Sequence, residues 1–134
     1  MKTVETIYLG GFRTKALHVR SGNILITDAP VDNRGKGEYF SPTDLVATAL
    51  GSCILTTLGI VAQREDFNID DTTISITKIM ADNPRRIGEI TVEMNFPKNE
   101  YTDLQKKQIE VTARGCPVAR SLHPDVIQTM IFNY

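Results

Sequence analysis

Along the first thirty residues, apolar and polar positions alternate in short runs broken by glycine, and the pattern predicts strands. Val4 to Leu9 carries β-branched and aromatic residues before Gly10-Gly11. Phe12 to Val19 follows, and Ser21-Gly22-Asn23 turns the chain into Ile24-Leu25-Ile26-Thr27. Two hairpins, or a three-stranded meander, are expected. The alternation then lapses over residues 29–40, where Pro30, Asp32-Asn33, Gly35 and Gly37 make a loop. At about a dozen residues it is longer than most connections, a length that suits a binding loop or lid as well as a surface connector.

Residues 45–62 carry no charge at all. Just before them Ser41 can cap a helix. Pro42 at the first helical position gives up no needed hydrogen bond, and Asp44, three residues after Ser41, makes a shortened capping box. A helix to about Arg64 follows. A helix apolar on all sides is buried in a protein core or spans a membrane. Thr48, Ser52, Thr56, Thr57, Gly51 and Gly59 lower its hydrophobicity, and its flanks read as soluble elements, so a core helix is expected. The small residues Ala47, Ala49, Gly51 and Ser52 would let another backbone approach closely just before Cys53.

Thr72 to Met80 alternates as a strand with Ile74, Ile76 and Met80 on one face, and Asp82-Asn83-Pro84 turns the chain. Glu89 to Phe96 alternates cleanly: Ile90, Val92, Met94 and Phe96 against Glu89, Thr91, Glu93 and Asn95, the pattern of a half-exposed antiparallel strand. Thr102 to Ala113 is an amphipathic helix, with Leu104, Ile109 and Val111 among Lys106, Lys107 and Glu110, and Gly115 ends it. Cys116-Pro117 opens a second short helix to about Leu122, Pro124 stops it, and Val126 to Phe132 closes the chain as a strand. The order βββ-α-ββ-α-α-β implies an α+β fold with a buried helix against antiparallel sheet.

The chain has 134 residues, which suits one domain spanning 1–134 with a single core. Fifteen basic residues against sixteen acidic ones, with no basic run, leave no electrostatic footprint for nucleic acid. The first six residues contain no apolar signal-peptide core, so cytoplasmic residence is the expectation, and there a disulfide would be transient rather than structural.

That makes the two cysteines, Cys53 and Cys116, the candidate chemistry. They are far apart in sequence and form no CxxC motif, so they act together only if folding joins them. A helix start lowers a thiol pKa, and Cys116 occupies one, with Arg114 and Arg120 nearby in sequence; the alternative is a small buried hydrophobe. Cys53 lies mid-helix, where free cysteine commonly serves as core filler. Cys53, Cys116, His18 and His123 lack the ligand spacing of a structural zinc site, so no metal is expected. His123 should contact backbone, and His18 should face solvent with Arg20. Gly35-Lys36-Gly37 lacks the spacing of a phosphate-binding loop.

The stretch from Gly35 to Leu45, continuing through Ala49-Leu50-Gly51-Ser52-Cys53, resembles the OsmC/Ohr family (osmotically inducible protein C and organic hydroperoxide resistance protein). Gly115-Cys116-Pro117-Val118-Ala119 is similar to the segment around the family's second cysteine. The resemblance is to the compact OsmC-like branch. It implies antiparallel sheets wrapped around buried central helices in an intertwined homodimer, with the reactive site at the subunit interface. It also implies a thiol-dependent peroxidase for organic hydroperoxides, with Cys53 peroxidatic and Cys116 resolving, an intramolecular disulfide, no resident cofactor, and an external dithiol as reductant. Family members carry Glu directly after the helix-initial Pro, paired with an Arg from the N-terminal strands. Here Thr43 takes that place, with Asp44 next as a supporting residue, and Arg13 and Arg20 are the candidate arginines. Apolar neighbours of Cys53 (Leu50, Ile54, Leu58) suggest a nonpolar substrate pocket. Two other readings stand beside the peroxidase: an OsmC-like dimer that binds a small apolar or thiol-containing ligand, and a protein whose cysteines are buried and inert.

Overall fold

The computed structural model describes residues 1–97 and 100–134, and the chain divides into two compact units, Met1–Val46 and Ala47–Tyr134. In the first unit β1 (Val4–Gly10), β2 (Arg13–His18) and β3 (Ile24–Asp28) form the meander that the sequence pattern predicts. Both pairings are antiparallel, and their register sets Arg13 directly opposite Asp28. Every residue of β1 is exposed, and Ile24 and Leu25 of β3 are exposed as well.

The expected loop follows β3 and contains one short 3-10 turn, Val31–Asn33. Its base is closed where the backbone N–H of Asp28 donates to Phe40 O and that of Gly35 to Pro30 O. Gly35 has no room for a side chain, since a Cβ there would lie 1.6 Å from the carbonyl oxygen of Ala29.

The loop delivers the chain to α1 (Pro42–Arg64), whose bounds match the sequence expectation. Ser41 Oγ accepts from the Asp44 N–H at 3.1 Å while the Asp44 carboxylate accepts from the Ser41 N–H at 3.0 Å, which is the capping box in both directions. Asp44 therefore has a structural task at the helix start.

In the second unit, β4 (Thr73–Ala81), β5 (Arg86–Asn95) and β6 (Ile127–Asn133) form a sheet in the order β4-β5-β6. The β4–β5 pair is antiparallel, joined through a turn in which Asn83–Pro84 is cis. β6 runs parallel to β5, so this sheet is mixed where antiparallel pairing was expected throughout. The chain returns to it through α2 (Asp103–Arg114) and α3 (Pro117–Ser121), as a parallel pairing requires a long crossover. Thr102 caps α2 in a reciprocal box with Gln105.

The core of this unit is built on two periodicities. Ile90, Val92, Met94 and Phe96 are buried on one face of the β5 segment, with Glu93 and Asn95 exposed on the other. On α1, residues Ala47, Leu50, Gly51, Ile54, Leu58, Val61 and Ala62 are buried at helical spacing. The helix has the length and composition of a membrane span, yet it is not buried all round as its uniform apolarity suggested. Thr48, Ala49, Ser52, Thr56 and Ile60 are exposed on the other side. Gly51 explains the close approach to the sheet: a Cβ there would meet Ile76 Cδ1 at 2.3 Å, with Ile74 beside it. On α2 only Ile109 and Ala113 are buried, and Leu104 and Val111 stand exposed.

Leu50 is fully buried in this packing. Leu50→Ala should therefore cost about 3 kcal/mol in denaturant unfolding. Thr102→Ala removes one cap bond, with an expected cost of about 1 kcal/mol.

Candidate functional site

The fold brings the two cysteines together. Cys53 projects, half-buried, from the middle of α1. Cys116 is the N-cap of α3, fully buried, and its Sγ accepts a hydrogen bond from the Ala119 N–H at 3.4 Å. Local sequence dictates that placement. Gly115 ends α2 with its N–H on the Val111 and Thr112 carbonyls, and Pro117 starts the next helix one residue past the cysteine. Both thiols are free, and each lies close enough to shift the acidity of the other.

Their acidities move in opposite directions. Burial pushes the Cys53 thiol up, but hydrogen bonds from the Val118 backbone N–H, the Cys116 thiol and the Thr57 hydroxyl outweigh it. Cys53 therefore lies below the ordinary thiol value. Burial also pushes Cys116 up, and there it prevails over the Ala119 N–H: donating to Cys53 and lying beside its developing charge keep Cys116 protonated.

Of the two readings the sequence leaves open for Cys116, an acidic thiol at a helix start or a small buried hydrophobe, the second describes its surroundings. Full burial defeats that placement, and the Val118 amide of the same turn serves Cys53. Nor do the neighbouring arginines contribute. Arg120 Nε donates to the Gly115 carbonyl at 2.7 Å, and the Arg114 guanidinium lies over the Phe132 ring at 5.6 Å.

Other expectations divide. Leu50, Ile54 and Leu58 do not line an accessible pocket; they are 0%, 0% and 1% exposed and form the core face of α1. His123 contacts backbone as expected, its Nδ1 accepting from the Asp125 N–H at 3.0 Å. His18 is exposed and bonded to Ser21 Oγ at 2.6 Å. Among the described residues no group of three or more His, Cys, Asp and Glu could hold a metal ion.

Thr57 is a residue that sequence reasoning passed over, although its spacing of four from Cys53 on one helix was a usable signal. Within the first unit, Arg13 finds a different carboxylate from the one the family pattern suggests. Its Nε and an Nη donate to both oxygens of Asp28, at 2.6 and 2.9 Å. Glu38 lies 3.4 Å from the same guanidinium, which also sits over the Tyr39 ring at 4.9 Å. The Arg13 guanidinium holds the buried Asp28 carboxyl below the usual carboxylate range, helped by the N–H groups of Glu38 and Tyr39. Arg13 is correspondingly held charged.

A family model for OsmC-like protein matches residues 35–130. A crystal structure of a protein from Psychrobacter arcticus 273-4, named for osmotic stress induction and detoxification response, is 49% identical. It covers 99% of this chain and 96% of its own length, with a TM-score of 0.94. Two more distant structures share the fold. One is an organic hydroperoxide resistance protein OsmC from Legionella pneumophila, 14% identical, covering 100% of this chain and 98% of that one at a TM-score of 0.79. The other is an organic hydroperoxide resistance protein from Vibrio cholerae with captopril bound in one of its active sites. It is also 14% identical, covering 99% and 92% at a TM-score of 0.76. No curated protein matches the chain. With the model spanning most of the sequence and the Psychrobacter protein nearly half identical over almost its full length, this chain belongs to the OsmC-like family.

Proposed function

We propose that the protein is a thiol-dependent peroxidase that reduces organic hydroperoxides in oxidative stress defence. The observation that carries this reading is the meeting of two free thiols from distant parts of the chain, Cys53 half-buried on α1 and Cys116 buried at the start of α3, with their acidities shifted in opposite directions. The Cys53 thiolate attacks the distal oxygen of the hydroperoxide, the O–O bond breaks, and the departing alkoxide takes a proton from solvent to leave as the alcohol. Cys53 is then a sulfenic acid. The Cys116 thiol condenses with it, forming the disulfide and releasing water. An external dithiol reduces the disulfide and is itself oxidised. No metal or organic cofactor enters this cycle. The substrate class is supported by the names of the structural relatives, since the leucine and isoleucine side chains near Cys53 in sequence are committed to the core.

A second copy of the chain completes the molecule in this reading. The first sheet leaves Val4, Ile7, Leu9, Leu17, Ile24 and Leu25 exposed, with Ile7 at 60%. So much apolar surface on one small sheet marks an interaction face. Sedimentation at micromolar concentration should give a homodimer, and Ile7→Lys with Leu25→Lys should shift it toward monomer. The cycle places the protein among reducing dithiols, consistent with the cytoplasm.

A different role, as a dimer that binds a small apolar or thiol-containing ligand with little turnover, is favoured by one observation. Thr43 stands where the family carries Glu, and Arg13 is already engaged by Asp28 and Glu38. Turnover separates the two. With cumene hydroperoxide and a dithiol, Cys53→Ser should abolish consumption. Cys116→Ser should still form a dimedone-trappable sulfenic acid at Cys53 but lose catalytic turnover by at least about 100-fold. A native protein that does not turn over, with unchanged Cys53→Ser behaviour, leaves the ligand-binding role.

The acidities predict a pH dependence. The Cys53 thiol is lowered, so its alkylation by iodoacetamide should reach half its maximal rate at a lower pH than a free thiol. Cys116 is raised, so its alkylation should come only at higher pH. Peptide-resolved mass spectrometry across pH 5–10 would read both, and a reversed order would remove the assignment of Cys53 as nucleophile.

A further inference from the structure

Two consecutive threonines follow Cys53 on α1, and they use their hydroxyls differently. A threonine inside a helix ordinarily donates to the carbonyl four residues back. Thr56 does so, bonding Ser52 O at 3.0 Å and also Cys53 O at 3.2 Å. For Thr57 the carbonyl four residues back is that of Cys53 itself. Its hydroxyl instead lies against the sulfur of that residue, Oγ1 to Sγ 4.0 Å, in a half-buried position. The spacing of four places the two side chains one above the other on the helix. The branched threonine side chain has few rotamers to choose from, so its hydroxyl is held there at little entropic cost.

We infer that Thr57 is a dedicated hydrogen-bond donor to the Cys53 sulfur, which sets the reactivity of that thiol. The inference rests on the proposed reading of Cys53 as the nucleophile and names a further residue for that chemistry. A neutral hydroxyl accepts or donates according to need. Against a thiol it can accept the S–H, and against a thiolate it donates and the contact tightens, as charge-assisted bonds are shorter and stronger than neutral ones. The Cys116 thiol and the Val118 amide approach the same sulfur from the α3 turn, and Thr57 approaches from α1 itself. The nucleophile is thereby flanked by donors from two elements, and the one on its own helix cannot drift from it.

Three substitutions test this in the full chain: Thr57→Val, which keeps the branched shape without the hydroxyl, Thr57→Ala, which removes both, and Thr57→Ser, which keeps the hydroxyl. The readout is peptide-resolved alkylation of Cys53 against pH, which needs no peroxidase activity. Thr57→Val and Thr57→Ala should both move the Cys53 profile to higher pH and slow alkylation at pH 7 by roughly fivefold, an effect on the scale of one ordinary hydrogen bond. Thr57→Ser should stay within about twofold of the unsubstituted chain on the same scale. A Cys53 profile unchanged in Thr57→Val and Thr57→Ala overturns the inference, as does a shift in Thr57→Ser as large as theirs. If the unsubstituted protein consumes no hydroperoxide, the peroxidase reading fails, while the titration still decides the part of Thr57.

Discussion

The electrostatic coupling between the two thiols is the interaction on which the proposed chemistry depends. Two identical side chains are made unequal by position. Cys116 is fully buried and Cys53 is only half-buried, so the desolvation that disfavours a thiolate falls more heavily on Cys116. Their proximity then amplifies the difference, because a developing charge on Cys53 disfavours a second thiolate at Cys116. The remainder of the second unit maintains this arrangement. Gly51 lets α1 lie close on Ile74 and Ile76, and the buried Leu50, Ile54 and Leu58 fix its rotation, leaving Cys53 half-buried. The Gly115-Cys116-Pro117 junction ends one helix and starts another at the second sulfur.

The first unit turns on a different electrostatic knot. Register alone sets Arg13 across from Asp28 on adjacent antiparallel strands, and the bidentate geometry makes the pair directional. Asp28 is 1% exposed, and it also accepts from the Glu38 N–H, so one carboxylate ties the hairpin to the far end of the 29–40 loop. The backbone bond between Asp28 and Phe40 closes the same base. The loop is therefore anchored at both ends rather than hung between β3 and α1. Thr43 in place of a carboxylate leaves no gap in this network, because Asp28 supplies the acid that Arg13 needs.

Much of this was legible in the residues themselves. The alternation from Ile90 to Phe96 gave the buried face of β5, and Ser41, Pro42 and Asp44 marked the start of α1, because caps and alternation are local rules. What escaped was set by tertiary context. The parallel pairing of β6 depends on where α2 and α3 return the chain, which no local pattern states. The choice between an acidic and a buried Cys116 stayed open because helix-start chemistry is readable from Pro117, whereas burial is not. Arg13 could be matched to Asp28 only once the hairpin register was known. Leu50, Ile54 and Leu58 looked like pocket residues because they neighbour Cys53 in sequence; at helical spacing those positions turn toward the sheet. Thr57 was within reach of the same helical arithmetic, but a threonine in an apolar helix reads first as a break in hydrophobicity.

The nature of the donors around Cys53 has a consequence for how its charge is held. Among the described residues, the groups that lower its pKa are an amide, a thiol and a hydroxyl, none of them a cation. A thiolate held by a fixed positive charge loses support as salt screens the pair, whereas one held by short-range dipoles on packed elements does so much less. Neutral donors also leave with the proton they lend: once Cys53 carries oxygen in the proposed cycle, the Cys116 thiol has no thiolate to donate to. What kept Cys116 protonated is then gone, apart from its burial, and the Ala119 amide still points at its sulfur. The oxidation of one cysteine thus removes the part of the restraint on the other that comes from its neighbour's charge, while burial, the larger cause, stays. That is the order of events a two-cysteine cycle needs: attack by Cys53 first, and nucleophilic character at Cys116 only after there is a sulfenic acid to meet it.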